Sequence, residues 1–115
     1  MSRAEVRDAL AEAASSVDGV DVSPYFAGVT APGAGFVRWD RSEQPNPFGF
    51  VGYWNVVVLL PQDLAAAEQM ADELFAPLTA ALAPHMRVTG AQMQQLTIPG
   101  VGVLPCVFIN GHRED

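Results

Sequence analysis

The sequence predicts an α+β domain: an antiparallel or mixed sheet of about four to five strands with two helices packed on one face. Two observations predict it. Two segments with helical apolar spacing are each followed by strand-like runs, giving the order helix, strands, helix, strands. The strand-like runs are joined by short Gly- and Pro-containing turns, which favour hairpins over long parallel crossovers. A length of 115 residues with 50% hydrophobic composition suits a single domain spanning 1–115 with its own core.

The first helix is predicted over residues 2–16. Ser2 is placed as an N-cap, and Glu5 three residues later completes a capping box. Val6, Ala9, Leu10, Ala13 and Val17 recur at helical spacing, with Arg3, Asp8 and Glu12 off that stripe. Asp18-Gly19 stops the segment. Val20 to Ser23 reads as a short edge strand halted by Pro24. Tyr25 to Gly35 holds Gly28, Pro32, Gly33 and Gly35 and reads as a turn-rich connection.

Phe36 to Asp40 alternates, with Val37 and Trp39 on one face and Phe36 and Arg38 on the other. Arg41 to Gly52 is predicted as a long loop, because Pro45, Pro47, Gly49 and Gly52 disfavour a regular strand. Tyr53 to Leu60 is the clearest strand, and its run Val56-Val57-Val58-Leu59-Leu60 marks a central strand covered on both faces.

Pro61 and Asp63 open the second helix, predicted over residues 62–83. Its stripe is Leu64, Ala67, Ala71, Leu74, Leu78 and Leu82, widened by Phe75 and Ala81. Pro77 predicts a kink near Glu73 to Pro77. Met86-Arg87-Val88 is read as the start of a third layer. Gln92 to Ile98 and Val103 to Asn110 are the last two strands, turned by Pro99 to Gly102. Pro105 belongs at an edge or a bulge. Gly111 to Asp115 is expected to be a frayed polar tail.

The formal net charge is −7, and all six basic residues are arginine. A DNA-gripping domain presents a basic patch, because phosphate neutralisation supplies most of the affinity. This balance argues against that class and suits a protein that lets DNA pass without holding it, but a plain soluble acidic domain is the commoner reading. No run of about 18 apolar residues exists, so no spanning helix is expected. The N-terminus lacks the pattern of a secretory signal. A single cysteine, Cys106, excludes an internal disulfide and points to a reducing compartment.

The chain carries no recognisable bond-breaking chemistry, so it is expected not to be an enzyme, with no catalytic, cofactor-binding or metal residues. His85, Cys106 and His112 lack paired ligand spacing. Cys106 sits in an apolar strand and reads as a small core residue. The serines show no nucleophile-elbow motif. Asp72-Glu73 reads as a solvated helix face. Gly33-Ala34-Gly35 and Pro99 to Gly102 lack the spacing of phosphate cradles and read as turns.

What stands out is aromatic. Both tryptophans and four of the six phenylalanines lie between Phe26 and Trp54. A Pro- and Phe-rich loop cannot bury its own rings; it folds onto its domain or docks on a neighbour. Trp54 reads as core. Phe48 and Phe50 read equally as core or interface. A base-stacking use of these rings would need a positive groove, and only Arg38 and Arg41 are near. The candidate interface is Arg38, Trp39, Arg41, Phe48, Phe50 and Tyr53.

The order of segments resembles the tail terminator proteins of long-tailed bacteriophages. The residues that carry the resemblance are Pro32 to Trp39, the loop to Gly52, then Trp54 to Pro61 leading into an Ala-rich helix, and the final hairpin with Leu104 to Ile109. Together they span about Val20 to Asn110, and the specificity lies in their order. The resemblance implies a structural virion protein of the tail neck, assembled in the host cytoplasm. It implies a self-associating, homohexameric ring that caps the tail tube, ends its polymerisation and offers the head-joining surface. The implied partners are further copies, the tail tube protein and a head–tail connector or neck protein. DNA is implied only as passing cargo, with no cofactor and no membrane. The family's strand-connecting loop, here Arg41 to Gly52, contacts neighbouring subunits or the tube. Another neck or head–tail connector role, and a small-ligand domain with a pocket lined by the Trp39/Trp54 region, remain as alternatives.

Overall fold

Residues 1–114 are described by the computed structural model, which has the element order α1 (Arg3–Ser15), β1 (Asp21–Ser23), β2 (Ala34–Asn46), β3 (Gly49–Leu59), α2 (Leu64–Leu82), β4 (Arg87–Ile98) and β5 (Gly102–Glu114). The sheet is five-stranded and mixed, in the order β1-β2-β3-β5-β4. Only β1–β2 is parallel; the other three pairings are antiparallel. This is the α+β architecture the sequence predicts. No helix is long and apolar enough to cross a membrane.

Local chemistry sets the helix starts. Ser2 Oγ accepts from Glu5 N–H while Glu5 Oε1 accepts from Ser2 N–H, so two orphan donors are satisfied reciprocally. Asp63 caps α2 by accepting from Ala66 N–H at 2.9 Å. Helix α2 continues through Pro77 to Leu82. The stripes are shifted from the sequence reading. Ala11 and Ala14 are buried in α1, while Leu64 and Phe75 of α2 point to solvent.

The main core lies between the helices and one face of the sheet. Trp54, Val56, Val58, Val107 and Ile109 meet Leu10 and Val6 of α1 and Leu74, Leu78 and Leu82 of α2. A second, smaller cluster of Val57, Leu59, Cys106 and Phe108 occupies the opposite face with Ile98, Leu104, Phe36 and Leu96. The Phe26 ring meets Phe36 edge-on at 5.5 Å. The stretch Val56 to Leu59 of β3 is thus buried on both faces.

Gly33 ties three strands together. It donates to Leu59 O and accepts from Asp21 N–H, at 2.8 and 2.9 Å. Its φ of +92° favours glycine, and a Cβ there would overlap the Gly19 carbonyl oxygen.

Three segments differ from the sequence reading. The predicted loop from Arg41 to Gly52 is a β-hairpin, with β2 reaching Asn46 and β3 starting at Gly49. Pro45 is tolerated because β2 there pairs only with β3, leaving an outer edge that needs no donor, and the register shifts between Glu43 and Asn46. Arg87 and Val88 are not a third layer; they open β4. Gly111 to Glu114 is not a frayed tail but the end of β5, paired with Val51 to Trp54; Asp115 lies outside the described residues. Pro105 sits in a strand with neighbours on both sides, yet removes no bond from the β4 ladder. Its carbonyl accepts from Leu60 N–H, so its nitrogen faces the end of β3, where that ladder stops.

Candidate functional site

The six candidate interface residues all lie on the β2–β3 hairpin, but they do not form one patch. A β-bulge between Trp39 and Arg41 separates them. Before it, Trp39 pairs with Trp54 on the helix side of the sheet; after it, Arg41 pairs with Tyr53 on the opposite side. Strict alternation would have put Arg41 on Trp39's face. The extra residue, Asp40, turns it over.

On the helix side, Trp39 is partly exposed, covered by the Arg3 guanidinium at 4.2 Å, and its indole N–H donates to Ser42 Oγ at 3.1 Å. Trp54 is fully buried in the core. Trp54 also borders the groove on the opposite side of the sheet, so the alternative of a pocket at the Trp39/Trp54 region finds its concavity there and not on the helix side. Arg7 lies over Tyr25 at 4.4 Å and donates to Pro24 O and Val37 O, closing the edge of β2 where β1 ends.

On the open face, Arg41 is fixed in place. Its guanidinium donates to Asp40 Oδ2 at 2.7 Å and Glu43 Oε1 at 2.9 Å, and it stacks over Tyr53 at 4.0 Å. The Arg41 hydrogen bond, then that of Tyr53, holds the Glu43 carboxyl below the usual range. Tyr53 also meets the His112 ring at 5.6 Å. Arg38 is looser, 3.9 Å from Asp40 and 5.9 Å from the Phe108 ring. Beside these residues runs a groove of about 490 Å3 whose polar lining includes Arg38, Asn55, Gln92 and Asn110. Asn55 Nδ2 donates to Asn110 Oδ1 across its floor at 2.6 Å.

At the hairpin tip, Phe48 is 95% exposed and Phe50 is 49% exposed. Asn46 Oδ1 accepts from Phe48 N–H at 2.9 Å, an Asx-type turn that fixes the tip backbone while the ring stays in solvent. The reading of Phe48 as core does not survive. The Phe48 ring is therefore a large apolar group held in solvent by a defined turn.

A second exposed apolar area escaped the sequence reading. Leu64, Met93 and Val103 flank a cleft of about 720 Å3 between the start of α2 and the β4–β5 ladder. Helical periodicity assigned Leu64 to the core; instead an open cleft lies between the first turn of α2 and the β4–β5 ladder, and Leu64 is exposed.

Cys106 is buried, its thiol pushed up to about 11 by burial, and its Sγ lies 3.4 Å from Gln94 O. That environment keeps it protonated and non-nucleophilic near neutral pH. Among the described residues, no group of three or more His, Cys, Asp or Glu side chains converges in a way that would hold a metal ion. No protein-family model and no curated protein matches the chain.

Proposed function

We propose that this chain is the subunit of a closed ring that caps a phage tail tube, ends its polymerisation and provides the surface that joins the head. The observation that carries the reading is Phe48, 95% exposed on a turn at the tip of a hairpin. Two open sheet edges support it. Beyond Val37, β2 pairs only with β3, and β4 pairs only with β5, so each side of the sheet offers unpaired backbone. A ring needs two different surfaces per subunit that meet head to tail and close on themselves. The partners in this reading are further copies, the tube protein and a neck protein, with the particle's neck as the place of action.

The same features suit another neck or head–tail connector, which is the nearest alternative. A small-ligand domain is favoured by one observation, the polar groove around Arg38, Asn55 and Asn110. Absolute mass by light scattering, with and without the tail tube protein, tests the proposal. A closed ring of about six copies, alone or induced by the tube protein, is the expected result. A strict monomer that ignores the tube protein refutes it.

A further inference from the structure

We infer that the groove on the open face of the sheet is a binding site for a neutral, hydroxyl-rich ligand of the saccharide class. The inference goes beyond the ring reading and does not rest on it, because every residue of the site comes from one copy of the chain.

Strand pairing builds the site. Arg38, Asn55 and Asn110 are direct cross-strand partners on β2, β3 and β5, and the row continues to Gly90 on β4. Gly90 ends the row without a side chain. A Cβ there would meet nothing within 4 Å, so the groove is open towards β4. Gln92 pairs with Phe108, two residues before Asn110, and so stands on the same face. The cavity of about 490 Å3 falls within the size range of small-molecule sites.

The floor carries unused hydrogen-bonding groups in a mixed pattern. Asn55 Nδ2 donates to Asn110 Oδ1 at 2.6 Å. This bond holds the two amides side by side and leaves Asn55 Oδ1 to accept and Asn110 Nδ2 to donate. The Gln92 amide on the wall makes no side-chain hydrogen bond to the described residues. Arg38 is half exposed and only 3.9 Å from Asp40, so it keeps donors for a ligand. A hydroxyl both donates and accepts, and neighbouring hydroxyls therefore match an acceptor fixed beside a donor.

The same geometry disfavours other ligand classes. The strands β3 and β5 are each paired on both sides, so their main-chain groups are taken up in the ladders and offer no edge to an extended peptide. Arg41 is bound by Asp40 and Glu43, and Arg38 lies beside Asp40, so the two arginines are matched by two carboxylates and no excess positive charge is left for an anion. A planar base needs an uncovered ring to stack on. Here the Arg41 guanidinium lies over Tyr53 at 4.0 Å, and Phe108 is buried.

NMR titration of the isotope-labelled protein tests this, reading the side-chain amide signals of Asn55, Asn110 and Gln92. The probes are glucose, galactose, mannose, N-acetylglucosamine and maltose, with inorganic phosphate and cytosine as the contrasting classes. The expected result is a saturable shift of these three signals with at least one sugar, and weaker responses to phosphate and cytosine. Asn110→Ala and the exposed changes Arg38→Gln and Gln92→Ala each weaken that binding several-fold. The backbone spectrum shows whether each variant is folded, and the two exposed changes carry the test if Asn110→Ala is not. The absence of a saturable shift with any sugar overturns the inference. So does a shift located elsewhere, a preference for phosphate or cytosine, or unchanged affinity in the folded variants. Light scattering separates the two readings. A closed ring without sugar binding keeps the ring and refutes the site, whereas a monomer that binds the sugar keeps the site and refutes the ring.

Discussion

Replacing Phe48 with alanine separates association from folding, because the ring is 95% exposed. It contributes almost no burial to its own chain, so folding stability is expected to change by less than about 0.5 kcal/mol. At an interface the sign reverses. Burying a phenylalanine side chain yields about 1.5–3 kcal/mol, so its loss weakens each subunit contact by about 2 kcal/mol, or about 30-fold. If the proposed ring forms through the tip, the loss recurs at every interface and the assembly dissociates over a narrow concentration range. Leu78→Ala is the contrasting change. Leu78 is fully buried against the sheet, and its truncation costs about 2–5 kcal/mol of folding stability. Urea denaturation measures the first quantity and sedimentation equilibrium the second. If Phe48→Ala lowers the urea midpoint as Leu78→Ala does, the ring is packed in its own chain. If it leaves both stability and association unchanged, the tip is not an anchor. Either result refutes the reasoning.

Three further outcomes test the fold. Gly33→Ala destabilises by more than about 1 kcal/mol, through positive φ and overlap with the Gly19 carbonyl, and shows as a lower thermal midpoint. Asp63→Ala removes the cap on α2 and costs about 1 kcal/mol by urea denaturation, whereas Asp63→Asn retains most of it. Cys106 binds a proton in the folded state up to about pH 11 but in the unfolded state only up to its ordinary 9.0, so the unfolded chain holds fewer protons between these values. The contribution of Cys106 is therefore full below pH 9 and is lost as pH rises towards 11, on the order of 1–2 kcal/mol after allowing for solvent screening. Cys106→Ala removes this component of the alkaline slope, and a native thiol reagent at pH 8 leaves Cys106 unmodified until the chain is unfolded.

The sequence by itself determined the elements whose cause is local. Ser2 and Glu5 set the start of α1, and Asp63 sets that of α2, because capping uses neighbours within one turn. The Val56 to Leu59 run announced a strand covered on both faces, since no polar residue interrupts it. The fold class followed from the order of these elements. Tertiary structure decided the rest. Pro45, Gly49 and Gly52 argued against a strand, and they were overruled because β2 has a free outer edge and β3 supplies its ladder from the other side. The polar end of β5 was ordered by pairing with β3, a partner about 60 residues away in sequence and invisible to local propensity. Within the interface, the sequence named the aromatic and arginine residues, but alternation gave faces only to Arg38 and Trp39 and left Arg41, Phe48 and Phe50 in a loop. One extra residue at Asp40 moved Arg41 to the opposite side of the sheet, and no periodicity count can locate such a bulge. Leu64 shows the same limit from the helix side. Its spacing fits the stripe, but whether a stripe residue is buried depends on whether sheet lies beneath it, and beneath the first turn of α2 there is an open cleft.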